Sequence, residues 1–296
     1  MSGSRPRAGA DRRGLRERAG DSRSIRLGTC TIRLNVPRVM GIVNNTPDSF
    51  SGDGLSGDVD AAVARGVEMF ESGADIVDVG GESTRPGAEP VPEAVEIARA
   101  VPVVEALSKI HPGRVSIDTM KPRVAASALM AGASIVNDVS GLRDPRMVET
   151  VAEHDAAVII MHMKGDPKTM QVRPRYKDVV REISEFLQHR VAVAEAGGIN
   201  PRKIMVDPGI GFGKSLQHNI EIITRLEDFK RLGKPLVIGL SRKSFIGKIT
   251  GLPVDQRLSG SLAATLVAVE NGADIVRVHD VAETVSALRV FLALKR

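Results

Sequence analysis

Gly73-Ala74-Asp75-Ile76-Val77-Asp78-Val79 is a turn followed by a run of β-branched residues. The same pattern returns at Gly132-Ala133-Ser134-Ile135-Val136-Asn137-Asp138 and at Gly272-Ala273-Asp274-Ile275-Val276-Arg277-Val278. Each copy follows a stretch with apolar residues at three-to-four spacing, as Val59, Val63, Val67 and Phe70 before the first. That spacing predicts an amphipathic helix closed by a glycine in a left-handed cap, and the short apolar run behind it predicts a buried strand. Five further runs fit the same description: Val39-Met40-Gly41-Ile42-Val43, Val115-Ser116-Ile117-Asp118, Ala157-Val158-Ile159-Ile160-Met161, Lys203-Ile204-Met205-Val206-Asp207 and Leu236-Val237-Ile238-Gly239-Leu240. Together they give eight strands, each with a helix after it. Alternation at that count, in a chain of 296 residues, predicts α/β architecture and a single-domain (β/α)8 TIM barrel, which takes about 250 residues. Periodicity does not show closure, so two halves of an open doubly wound sheet form the alternative.

The flanks separate from this body by composition. Residues 1–23 are rich in Gly, Ser and Arg and lack apolar periodicity, so they are expected to form a disordered Arg-rich extension, with the barrel domain spanning 24–296. Ser24-Ile25-Arg26-Leu27 and Thr31-Ile32-Arg33-Leu34 alternate polar and apolar about Gly28-Thr29, the pattern of an N-terminal hairpin suited to plug the lower end of the barrel. Residues 1–26 hold eight arginines against Asp11, Glu17 and Asp21, which equals the +5 of the whole chain and leaves the barrel near neutral. The body thus lacks the basic footprint of a nucleic-acid protein, and no nucleic-acid partner is expected. No run approaches the roughly 20 apolar residues needed to cross a membrane. Cys30 is the only cysteine, which rules out an internal disulfide and makes a reducing cytoplasm the expected compartment.

Ligands of such barrels meet the C-terminal ends of the strands. The first strand runs into Asn44-Asn45-Thr46-Pro47-Asp48-Ser49-Phe50-Ser51, where an amide, a hydroxyl, a carboxylate and an aromatic ring arrive together. The others end in Gly80-Gly81-Glu82-Ser83-Thr84-Arg85-Pro86-Gly87, Asp118, Asn137 with Asp138, His162, Asp207, Ser241-Arg242-Lys243-Ser244, and Arg277, His279 and Asp280. Asp118, Asp138 and Asp207, with Asn137, offer acceptors to a ligand rich in N–H donors. Arg85, Arg277 and His279 offer donors to an anion, and a guanidinium fork pairs two phosphate oxygens at once. Singly, each has a plainer reading: Asp118 or Asp207 as a helix cap, His162 as a structural histidine between two methionines, Arg242 and Lys243 as a solvated pair.

With these segments in hand, the chain resembles the dihydropteroate synthase family of pterin-binding enzymes. The matching stretches are 44–51, 80–87, 116–119, 137–141, 207–214, 241–244 and 277–280, in order along nearly the entire chain after the extension. The resemblance implies a transferase of folate biosynthesis. It would condense 6-hydroxymethyl-7,8-dihydropterin diphosphate with 4-aminobenzoate, giving 7,8-dihydropteroate and diphosphate. By position it implies that Asp118, Asn137, Asp207 and Lys243 hold the pterin, and that Asn44, Arg85, Arg277 and His279 bind diphosphate. Asn44 would also reach a Mg2+ ion, and Phe50, Thr84, Pro86, Phe212 and Ser244 would line the aminobenzoate pocket. Asp118, Asp48, Asp53 and Lys243 would act at the chemistry. It further implies a homodimer and a sulfonamide target.

Two departures stand out. Asn45 replaces a valine usual in the family, placing an amide at a buried apolar position where it needs partners. In Gly52-Asp53-Gly54 the acid comes one residue later than usual, which makes the role of Asp53 the least secure of those carried over. Two other classes compete: a corrinoid-linked methyltetrahydrofolate methyltransferase, which needs neither a diphosphate clamp nor a Thr-Arg-Pro loop, and a pterin-binding paralogue without turnover.

Overall fold

The computed structural model describes residues 24–28, 30–46, 58–84 and 87–295. The 1–23 extension lies outside them. Eight parallel strands alternate with helices: β3 (Arg38–Asn44), α1 (Val59–Glu71), β4 (Ile76–Gly80), α2 (Glu93–Ile110), β5 (Val115–Asp118), α3 (Pro122–Met130), β6 (Ile135–Asp138), α4 (Pro145–Glu153), β7 (Ala157–Met161), α5 (Val179–Ala196), β8 (Ile204–Asp207), α6 (Leu216–Thr224), β9 (Val237–Gly239), α7 (Ser244–Thr250), α8 (Leu258–Glu270), β10 (Ile275–Val278) and α9 (Val281–Leu294). Before them, β1 (Ser24–Leu27) and β2 (Cys30–Arg33) pair antiparallel with Ile25 opposite Ile32. The second hairpin strand starts and stops one residue before the expected Thr31–Leu34, although Leu34 stays buried.

Hydrogen bonding orders the large sheet β8-β7-β6-β5-β4-β3-β10-β9. A parallel bridge from Val206 to Leu236 then brings the two outer strands together. That contact decides for the barrel over the open sheet.

The repeated Gly-Ala pattern explains each strand start. Gly73, Gly132 and Gly272 have φ of 105°, 108° and 105°, a region other residues rarely enter. At all three, the alanine amide reaches back to a carbonyl of the preceding helix: Ala74 to Met69 O at 2.9 Å, Ala133 to Ala128 O at 3.0 Å, Ala273 to Ala268 O at 2.9 Å. This closes the helix as a Schellman turn. In two copies the next residue ties the new strand sideways, Asp75 Oδ2 accepting from Val39 N at 3.0 Å and Asp274 Oδ2 from Leu236 N at 2.9 Å.

Ile25, Leu27, Ile32 and Leu34 pack into the barrel against Met40, Ile76, Ile135, Ile159, Met205, Val237 and Ile275. The hairpin thus fills the lower end, as its alternation predicts. Because Ile25 is fully buried there, Ile25→Ala should lower the unfolding free energy by about 2–5 kcal/mol. Urea denaturation checks this, with the midpoint moving and the slope unchanged.

Candidate functional site

Strand register assembles the polar ends into one ring. Asn44 is level with Gly80, Gly80 with Asp118, and Asp118 with Asn137. Arg277 is level with Met40 and Ile76, one inward-facing layer below Asp78. Its side chain rises to donate from Nε to Asp78 Oδ2 and from Nη2 to Asp118 Oδ2, both at 2.6 Å. Asn137 Nδ2 donates to the same Asp78 oxygen at 2.9 Å. A guanidinium held by two buried carboxylates therefore forms the centre of the site.

The second oxygens of these acids are short of donors. Asp78 Oδ1 and Asp118 Oδ1 are buried with no hydrogen-bond partner among the described residues. Burial pushes the Asp118 carboxyl up to about 7, while the Arg277 guanidinium opposes the rise and the Asp78 charge adds to it.

Across the mouth, Asp207 Oδ1 accepts from Gly209 N at 2.6 Å, and burial raises its pKa against that bond and the nearby Lys243 charge. Gly209 has φ of 70°, and a Cβ there would lie 2.0 Å from His162 O, so only glycine lets the loop pass. Lys243 Nζ donates to Ile210 O at 2.5 Å and lies 4.2 Å from the centre of the Phe212 ring. Burial brings its pKa down to about 8, against the pull of Asp207. His279 Nδ1 is 3.0 Å from Ser241 Oγ, and Arg242 forks onto Asp280 at 3.1 and 2.5 Å, which clips the 241–244 loop to the end of β10.

The structure thus gathers Asp118, Asn137, Asp207, Lys243, Arg277 and His279 at one end of the barrel, with Asn44 and Thr84 half-buried beside them. Phe212 packs with Met120, Met161, Met163 and Met170. Ser244 is exposed at the first position of α7. Asp48, Phe50, Asp53, Arg85 and Pro86 lie outside the described residues.

Two placements differ from the sequence reading, and His162 takes the plainer of its two. Arg277, expected at the anion end, lies between the acids in this structure. Asp138, expected to offer its carboxylate to a ligand, instead accepts the backbone amides of Ser140 at 2.7 Å and Leu142 at 3.0 Å and holds the loop after β6. His162 is structural: Lys214 Nζ lies 2.9 Å from its Nδ1, Phe186 meets it edge-on at 4.9 Å, and burial with the Lys214 charge depresses its pKa to about 2. Asn45 meets half its need, Nδ2 donating to Arg99 O at 2.9 Å while Oδ1 finds no donor among the described residues.

Sequence reasoning missed Asp78 as a site residue. Its signal was present, a lone carboxylate between Val77 and Val79 in a strand buried at every position. It also missed buried Lys214, whose ammonium joins His162 O at 3.2 Å and Phe212 O at 2.9 Å.

A family model described as pterin binding enzyme matches residues 40–279. The chain is 46% identical over 260 residues to the dihydropteroate synthase of Escherichia coli strain K12, covering 88% of this chain and 92% of that one. This chain belongs to the dihydropteroate synthase family of pterin-binding enzymes. A synthase of that family from Yersinia pestis, solved in complex with a sulfonamide drug, superposes with a TM-score of 0.89 at 42% identity, covering 92% of this chain and 99% of that one. The family's enzyme from Xanthomonas albilineans, solved with 4-aminobenzoic acid, gives 0.85 at 45% identity, with 93% and 99% covered.

Two outcomes test this geometry. Asp78→Asn should cost about 1.5–3 kcal/mol of unfolding free energy, the scale of a lost charged hydrogen bond, as read by chemical denaturation. An unfolded aspartate titrates near 4 and folded Asp118 near 7, so the folded state holds a proton the unfolded chain has released between those values. Stability from this group is therefore present at low pH and lost as pH rises from about 4 to 7. Urea midpoints across that range should fall less steeply in Asp118→Asn than in the wild type.

Proposed function

We propose that this chain joins 6-hydroxymethyl-7,8-dihydropterin diphosphate to 4-aminobenzoate, releasing diphosphate and forming 7,8-dihydropteroate for folate biosynthesis. The observation that carries the reading is the donor-poor pair Asp78 and Asp118 around Arg277, in a chain 46% identical to the Escherichia coli synthase.

In the proposed mechanism, Asp118, Asp207 and Asn137 accept and orient the amino and ring N–H groups of the pterin, and Lys243 closes over it beside Phe212. The bond between the pterin methylene carbon and the diphosphate oxygen breaks, its electron pair leaving with diphosphate. The aniline nitrogen of 4-aminobenzoate attacks the methylene and afterwards loses a proton. Positive charge grows on the pterin where the carboxylates lie, and negative charge on the leaving group would be met by His279 and by Nη1 of Arg277, the guanidinium nitrogen not turned to Asp78 or Asp118. No activated serine or cysteine is needed.

A Mg2+ ion is ordinarily held by one or two carboxylates, several waters and substrate phosphates, and diphosphate would bring most of its ligands here. Asn44 supplies one hard amide oxygen at the mouth, and the ion would screen diphosphate charge there. Thr84, Phe212 and Ser244 are assigned to the aminobenzoate, and sulfonamides would compete with it. We take the protein to act as a homodimer and assign it to the cytoplasm.

Diphosphate release should require both substrates; a wild-type protein that binds the pterin but releases none would mark a paralogue without turnover. Arg277→Ala should lower turnover by about two orders of magnitude, on the scale of one preorganised donor to developing charge. Steady-state assay of that variant checks the assignment.

A further inference from the structure

The loop between β4 and α2 is held from one side by a half-buried lysine that no part of the reading above uses. Lys121, the residue before α3, places its ammonium against three acceptors: Glu82 Oε2 at 2.9 Å, Glu96 Oε2 at 2.7 Å and Val91 O at 2.6 Å. An ammonium has three N–H donors, and all three are spent on residues 82–96. Glu82 Oε1 accepts in turn from Val91 N at 2.9 Å, so the same cluster joins the two ends of the loop. At its root, a Cβ on Gly81 would stand 2.8 Å from Glu96 O, so the chain lies directly on the first turn of α2. Further out, Gly87 N donates to Pro167 O at 3.1 Å and Lys168 pairs with Glu89 at 2.6 Å, joining the loop to the segment after β7.

We propose that Lys121 is a positioning residue for the second substrate: by holding Glu82 and Val91 it places Thr84, and so governs 4-aminobenzoate binding without touching that molecule. The inference rests on the assignment of Thr84 to the aminobenzoate pocket. Its physical basis is charge. Glu96 is fully buried and the Glu82 side chain is 6% exposed. Without Lys121 two carboxylates face each other out of water and one of them would take up a proton, while residues 82–91 lose the bonds from Lys121 to Glu82 and Val91 that tie them to the start of α3. Burial works against the charge on Lys121, yet its two carboxylate partners outweigh that and raise its pKa. Asp118 feels the Glu96 charge only at longer range and Thr119 lies between the cluster and Asn137, so the pterin end should sense the change less than Thr84 does.

The test uses the full chain. Lys121→Met should raise the KM for 4-aminobenzoate roughly tenfold at saturating pterin diphosphate, the worth of one lost charged contact. The calorimetric Kd for 6-hydroxymethyl-7,8-dihydropterin diphosphate should stay within about twofold. Lys121→Arg, which keeps the charge, should recover most of the KM. Should Lys121→Met fail to fold, Glu82→Gln decides: it leaves Lys121 with Glu96 and should still raise that KM about threefold or more. An unchanged KM in the folded variants, or an equal loss of pterin affinity, overturns the positioning role. A wild-type enzyme whose diphosphate release does not depend on 4-aminobenzoate overturns the underlying assignment instead, which keeps the two failures apart.

Discussion

Charge taken out of water must be matched at close range, because the interior screens it poorly and returns little of the lost hydration. The mouth of this barrel buries Asp78, Asp118 and Asp207, and Arg277 answers two of them at 2.6 Å. Position follows from that pairing. Arg277 reaches from β10 across β3 to acids on β4 and β5, so its bonds hold in place the strand ends that carry the ligand groups. Asp78 serves two donors through one oxygen, which orients Asn137 as well as the guanidinium. A second oxygen on Asp78 and on Asp118 is left without a donor among the described residues. Such a deficit suits a ligand edged with N–H groups better than a closed core.

The remainder of the molecule keeps that arrangement stiff. Below it, the hairpin fills the lower barrel with Ile25, Leu27, Ile32 and Leu34, so the inward layers pack against side chains rather than solvent. Around it, loops are fastened to one another: the glycine-rich loop after β8 through Lys214 and His162, the 241–244 loop through Arg242 and Asp280, the β4 loop through Lys121. Each fastening is a charged or polar side chain reaching the backbone or an acid of a neighbouring loop. Rigid loops on a rigid barrel let small groups be preorganised for charge that develops in a reaction.

Much of this was legible along the chain. The three Gly-Ala turns give helix ends and strand starts because a Schellman closure is local, requiring a glycine at positive φ and an amide a few residues on. Period-two alternation placed the hairpin to within a residue, and polar residues at strand ends picked out Asp118, Asn137, Asp207, Lys243, Arg277 and His279. The role of Asp138 was not legible, and that of His162 was left between two readings. Whether a carboxylate caps its own loop or faces a ligand depends on the local backbone path, and whether a histidine titrates depends first on its burial and then on a lysine 52 positions away.

By itself, then, the sequence determined the alternation of strands and helices, the hairpin and the polar strand ends, since propensity, periodicity and motif spacing are properties of neighbours in the chain. Only the tertiary structure decided that the sheet closes, through Val206 and Leu236, and that Asp78 meets Arg277 and Lys121 meets Glu82 and Glu96. Arg277 and Asp78 are separated by 199 positions. No local rule joins residues so far apart. Their meeting follows from barrel register and from the need of each buried charge for an opposite one.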